Sequence, residues 1–163
     1  MTNNDILRRF RYAFDLSDFQ IMDILLHVNS KVLRAQVCDW LRKEEDETYL
    51  PLSDIQLANF LNGFIIEKRG KRNDEIPIPE KRLNNNMIIR KIKIALALTD
   101  DDLMDVMKLG NMPISKHELS AFFRNPNQRQ YRPCNDQLLR GFLVGLQKKY
   151  KKPENPLSTE ENK

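Results

Sequence analysis

"LTDDDLMDVMKLGN" occupies residues 98–111, and "LSDFQIMDILLHVN" occupies residues 16–29. Both begin with leucine and a hydroxyl–aspartate pair, carry Met-Asp at the same place and close on asparagine. The offset is 82 positions, and it holds without a gap well beyond these two stretches. Asn3-Asn4 falls on Asn85-Asn86, Arg8 on Arg90, Ala13 on Ala95, Trp40 on Phe122 and Arg42 on Arg124. "YLPLSD" (49–54) falls on "YRPCND" (131–136), and Gly63 falls on Gly145. One register with equal turn lengths means a tandem duplication, so the two halves are expected to share a backbone.

Each copy reads as four helices. The first is expected to start after Asn-Asn as its N-cap, because Ile6, Phe10, Ala13 and Phe14 recur at helical spacing, as do Ile88, Ile92, Ala95 and Leu96. The second is capped by Ser17 or Thr99, with acids that suit the positive end of a helix. Gly110-Asn111 is expected to stop it in the later copy, whereas the first has Val28 where Gly110 stands. The third is expected over about 32–43 and 116–124, with "SKHE" (115–118) as a capping box. The fourth follows a Tyr-x-Pro turn and is capped by Ser53 or Asn135. Alternating β-branched residues are scarce, so strands are not expected. The fold class is therefore all-α: two tandem four-helix repeats with helix-turn-helix-like units, packed together because a half this small buries only a modest core. The divisions are residues 1–70 for the first repeat, 71–82 for a charged, proline-containing connector, 83–152 for the second repeat and 153–163 for a disordered tail.

Composition narrows the function. Hydrophobic residues make up 40% and charged residues 31% of 163, a soluble globular balance. No apolar run is long enough to cross a bilayer and no leader pattern opens the chain, so a cytoplasmic location and no membrane partner are expected. Cys38 and Cys134 occupy non-equivalent positions and are expected to be free thiols, buried or half-buried. His27 and His117 stand outside any ligand spacing, so neither a metal nor another cofactor is expected. Asp100, Asp101 and Asp102 diverge around a helix and read as charges matched to its N-terminus. "EEDE" (44–47) reads as a solvated loop. With no phosphate loop, nucleophile elbow or His-carboxylate motif, the chain is not expected to be an enzyme.

"LSDFQIMDIL", "FLNGFIIEKRGKR", "EKRLNNNMIIRKIKIALALTDDDLM", "SKHELSAFFRNP" and "QLLRGFLVGLQ" together resemble the YehS-like bacterial family, over nearly all of residues 1–150. The resemblance implies a cytosolic protein made of two copies of a domain of unknown function. It brings no activity, cofactor or catalytic residue.

Charge is unevenly divided. Residues 1–70 hold 9 cations and 11 acids, a net of −2, whereas residues 83–152 hold 13 cations and 6 acids, a net of +7. A polyanion would choose the second half. Lys116, Ser120 and Arg124 lie at spacing four on the third helix of that half, matched by Arg34, Cys38 and Arg42 in the first. A small residue between two cations would let a nucleic-acid backbone or base edge approach. Arg129, Arg132 and Arg140 add to the basic half, and Arg90, Lys91 and Lys93 on the first helix of the later copy match Arg8, Arg9 and Arg11 as a second set of cations that could grip phosphates. The expected function is non-enzymatic binding of DNA or RNA through the basic second repeat. The alternative is a protein–protein interaction or adaptor module with no nucleic-acid role.

Overall fold

Among residues 1–153, which the computed structural model describes, eight α-helices and no strand are present. They are α1 (Asn3–Phe14), α2 (Asp18–Leu26), α3 (Arg34–Trp40), α4 (Asp54–Arg69), α5 (Asn85–Ala95), α6 (Asp100–Leu109), α7 (Lys116–Phe122) and α8 (Asp136–Tyr150). Elements 82 residues apart correspond. The expected tail, apart from Pro153, lies outside the described residues.

The caps correct one expectation. Thr2 and Asn84, not the Asn-Asn pairs, cap α1 and α5. The asparagines that follow have a different task. Asn4 Nδ2 donates to the carbonyls of Trp40 and Leu50 at 2.9 and 2.8 Å, and its Oδ1 accepts from the Leu52 N–H at 3.0 Å. Asn86 repeats this with Phe122, Arg132 and Cys134 at 3.0, 2.9 and 2.9 Å. Both asparagines are buried. The loop between the third and fourth helices lacks regular structure, so its inward backbone groups need partners, and one amide supplies them. Asn3 and Asn85 add a second tie, to the Leu52 and Cys134 carbonyls and to Asp54 and Asp136.

Two further expectations change in detail. α3 and α7 are only seven residues long, so Arg42 and Arg124 lie just beyond their helices. The turn after the second helix is made by Asn29 and Asn111, at φ 57° and 59°, because asparagine tolerates the left-handed region. Gly110 has φ −83° and is not the turn residue. It is glycine because a Cβ there would overlap the carbonyl oxygen of Gly141 on α8. The first copy needs no glycine, since Val28 and Asn59 occupy these places. "SKHE" is half a capping box: Ser115 accepts from the Glu118 N–H, but the Glu118 carboxylate takes the Ser115 hydroxyl instead of its N–H. Reciprocal boxes form at Thr2, Ser17, Ser53 and Thr99.

The copies pack through their first and fourth helices. α1 lies against α8 and α5 against α4, while α2 and α6 cover the outer sides of α4 and α8. Ile6, Leu7, Phe10, Ile21, Leu57 and Phe64 belong to one continuous core with Ile88, Ile92, Leu103, Leu139 and Phe142. An aromatic chain crosses the boundary: Phe10 meets Phe60 and Phe64 edge-on at 5.5 and 4.7 Å, and Phe14 meets Tyr150 at 5.2 Å. Gly63 and Gly145 allow the tight outer contacts, since a Cβ on either would overlap the carbonyl oxygen of Ile24 or Val106.

The four central helices point the same way. The Met1 amino group bonds Asp136 at 3.0 Å and the Leu83 N–H bonds Asp54 at 2.9 Å, so all four begin at one pole. At the other pole, Phe14, Lys68, Arg69, Leu96 and Tyr150 surround one cleft. Aligned macrodipoles disfavour each other, and side chains offset this. Asp5, Asp54 and Asp136 sit in first turns; Arg11, Lys68, Arg69, Lys93, Lys148 and Lys149 sit in last turns. Parallel α4 and α5 also need a link that runs the length of α4 backwards, about 24 Å at 1.5 Å per residue. Residues 70–84 provide it without regular structure, apart from short turns and bends.

Replacing Asn4 or Asn86 with alanine strands two carbonyls and an N–H. Each change is expected to cost about 3 kcal/mol. Urea unfolding of Asn4→Ala and Asn86→Ala, read against the parent chain, measures it; a loss below about 0.5 kcal/mol would show that the amide is not what holds the loop.

Candidate nucleic-acid interface

α7 begins at the Ser115 cap, and Leu119, Ala121 and Phe122 face the core. That leaves Lys116 and Ser120 outward and exposed. Arg124 follows the helix end and reaches back, with Nη2 to Ser120 Oγ at 3.5 Å. Ser120 Oγ also sits 3.4 Å from the His117 carbonyl. The Arg132 N–H donates to the Ala121 carbonyl at 3.1 Å, and its own carbonyl accepts from Asn86. The loop carrying Arg129 and Arg132 is thereby tied to the end of α7. Arg90 on α5 joins the same edge, donating to the Phe123 carbonyl at 2.9 Å. The structure therefore gathers Lys116, Ser120, Arg124, Arg132 and Arg90 around one short helix, with Arg129 in the adjoining loop.

The other two α5 candidates are already paired with acids. Lys91 turns into the seam between α4 and α5, only 14% exposed, and bonds Glu80 at 2.9 Å and Asn62 at 2.6 Å. Lys93 pairs with Asp100 at 2.8 Å and lies over the Phe123 ring. Arg90 and Lys93 thus share the Phe123 ring at that edge, while Lys91 lies in the seam.

The first copy places its equivalents on the same backbone but neutralises them. Arg34 pairs with Asp18 at 3.4 Å and covers the Phe19 ring. Arg42 pairs with Asp39 at 3.1 Å and Asp46 at 3.3 Å, which holds its guanidinium still more firmly protonated. In the second copy Asp39 and Asp46 become Ala121 and Gln128. Among the described residues no carboxylate pairs with Lys116, Arg124, Arg129 or Arg132. The loop explains most of this. Glu44, Glu45, Asp46 and Glu47 fall on Pro126, Asn127, Gln128 and Arg129, and Leu50 falls on Arg132. A loop with one cation and four acids thereby becomes one with two cations and no acid. Reading "EEDE" as a solvated loop, without aligning it to its counterpart, missed this reversal; the 82-residue register carried the signal.

Cys38, the small residue of the first strip, donates to Asp18 Oδ2 at 3.3 Å, and that carboxylate together with partial burial raises its pKa. Cys134 is buried, which pushes its thiol up to about 12. Both are free thiols. Among the described residues no three His, Cys, Asp or Glu side chains converge where a metal could bind. No helix there is long and apolar enough to cross a membrane.

Residues 3–70 and 85–152 each match the family described as "Protein of unknown function (DUF1456)". The chain belongs to this family. The two matches coincide with the two copies, which the 82-residue register had separated on internal grounds. The chain is also 40% identical over 147 residues to the "Uncharacterized protein YehS" of Escherichia coli (strain K12), covering 90% of this chain and 94% of that one. No solved structure matches. Family membership attaches no role to any residue, so the interface rests on its own geometry and charge.

The thiols give a direct check on this local chemistry. Raising Cys134 from 9.0 to about 12 lowers its thiolate fraction roughly a thousandfold at neutral pH. A thiolate-selective reagent at pH 7.5 is expected to leave Cys134 unmodified in the folded protein and to modify Cys38 more slowly than a free cysteine. Both should react promptly in denaturant. Rapid labelling of the native protein at Cys134, mapped by peptide mass, would contradict the buried placement.

Proposed function

We propose that this protein is a non-enzymatic binding module that holds nucleic acid along the edge of its second repeat built from α7 and the loop after it. The observation that carries this reading is the contrast between copies. Arg34 and Arg42 are matched by acids, whereas Lys116, Arg124, Arg129 and Arg132 have none among the described residues. Unmatched cations on an exposed edge create a potential that neutralised pairs do not, and phosphates meeting it release counterions. Only Lys116 stands at the N-terminal end of α7, where a helix-turn-helix reader would meet base edges. Arg124, Arg129 and Arg132 follow the helix. Contact is thus mainly with the sugar-phosphate backbone, with Lys116 and Ser120 the candidates for base contact.

Titration of labelled duplex DNA and structured RNA at several salt concentrations tests this. For duplex DNA the logarithm of affinity should fall with the logarithm of salt at about −0.9 per phosphate neutralised. The triple change Arg124→Gln, Arg129→Gln and Arg132→Gln should weaken binding and flatten the slope by roughly one for each phosphate no longer neutralised. Arg34→Gln with Arg42→Gln should leave both unchanged. Absence of binding at low salt, or equal losses from the two sets, overturns the reading.

One observation favours a second reading, a protein partner on the first repeat. Phe19 and Leu33 are 58% and 72% exposed, where the later copy has Asp101 and Ser115. Capture from nuclease-treated cell extract, compared with the Phe19→Ser, Leu33→Ser form, separates the two. A partner that survives nuclease and is lost with those substitutions supports the protein reading.

A further inference from the structure

The two seams between the copies are related by the 82-residue register, yet they are not filled alike. At the α4–α5 seam, Lys91 donates to Glu80 Oε1 at 2.9 Å and to Asn62 Oδ1 at 2.6 Å. Glu80 arrives on the extended run "IPIPE" (76–80), and Ala58, one turn before Asn62, is wholly buried. At the α1–α8 seam the counterparts are Arg9 for Lys91, Val144 for Asn62 and Arg140 for Ala58. Arg9 is half-buried and Arg140 is exposed. Together with Met1, Asp5 and Arg8 they line a pocket of about 340 Å³.

The charges around that pocket do not balance. Arg8 is matched by Asp5. Asp136 lies within electrostatic reach of Arg140 but is already engaged by the Met1 amino group and the Asn85 amide. No carboxylate among the described residues pairs with Arg9. The described residues likewise supply no counterpart of Glu80 at this seam.

We propose that the Arg8–Arg9–Arg140 pocket at the α1–α8 seam is a binding site for a carboxylate side chain carried by an extended peptide, received as Glu80 is received at the α4–α5 seam. The internal repeat provides the stand-in: on the same frame, at the corresponding place, an acid on a proline-flanked irregular segment meets the corresponding cation. Where the α4–α5 seam uses lysine, the α1–α8 seam uses arginines, whose planar forks match a carboxylate with two parallel hydrogen bonds. Partial burial of Arg9 strengthens that attraction over its value in water. The pocket and the α7 edge share no residue, so this proposal stands apart from the nucleic-acid reading.

The test uses the full chain, isotope-labelled, with its own N-terminus. The probes are an end-blocked tetrapeptide with the sequence of residues 77–80 (Pro-Ile-Pro-Glu), the same peptide ending in glutamine, and inorganic phosphate. The glutamate peptide is expected to shift the backbone resonances of Arg8, Arg9 and Arg140 saturably. The glutamine form should bind at least about tenfold more weakly, because the charge-assisted pair is lost. Arg9→Gln should remove the response. Arg140→Gln, an exposed substitution that leaves folding intact, should weaken it and keeps the test decisive if Arg9→Gln fails to fold. The proposal is overturned by equal binding of the two peptides, by indifference to Arg140→Gln, by phosphate binding more tightly than the glutamate peptide, or by no shift up to roughly 10 mM peptide.

Discussion

Each copy depends on one buried asparagine amide that ties an irregular loop to the start of a helix. Asn4 and Asn86 use both donors and the acceptor of their side chains on main-chain groups alone. This fixes the loop's path without reference to its side chains. A loop held by its backbone can change composition freely on its outer side. That freedom has been used: the same path carries "EEDE" in one copy and "PNQR" in the other. The interaction that conserves the shape is what permits the charge to reverse, and the cations of the α7 edge follow from it.

The second constraint is direction. α1, α4, α5 and α8 begin at one pole and end at the other, which aligns four dipoles and forces the chain to double back between copies. Acids in the first turns and bases in the last turns are the electrostatic answer to the alignment. The returning segment has its own effect. It places Glu80 at one seam, while the described residues of the related seam present arginines, so the two seams differ on corresponding backbones.

Much of this was legible in the residues. The duplication, the four helices of each copy, most caps and the free thiols follow from a fixed register, helical spacing and cysteine position. The family match over both copies agrees with that division. The parts that were not legible depended on contacts distant in sequence. Asn-Asn looks like a cap because asparagine favours that position, and only the loop some forty residues away reveals the pairing of a buried amide with stranded backbone groups. Gly110 looks like a turn glycine because such residues favour left-handed φ. Its actual reason is the approach of Gly141, which local pattern does not encode. For the candidate interface, Lys116 and Arg124 came from helical spacing on the third helix, and Arg129 and Arg132 from the charge of the second half. Lys91 and Lys93 came in because their positions match Arg9 and Arg11, and a match of cations does not reveal that Glu80 and Asp100 hold them.

The pairing of α1 with α8 carries a consequence for biosynthesis. α1 finds its main partner in α8, and the Met1 amino group meets Asp136 only after a further 135 residues have been made. At typical elongation speeds that interval is on the order of ten seconds. Throughout it, the side of α1 that faces α8, including Phe14 beside Tyr150, awaits its cover. A nascent chain arrested before α8 would present that surface to chaperones, because the two copies share one continuous core.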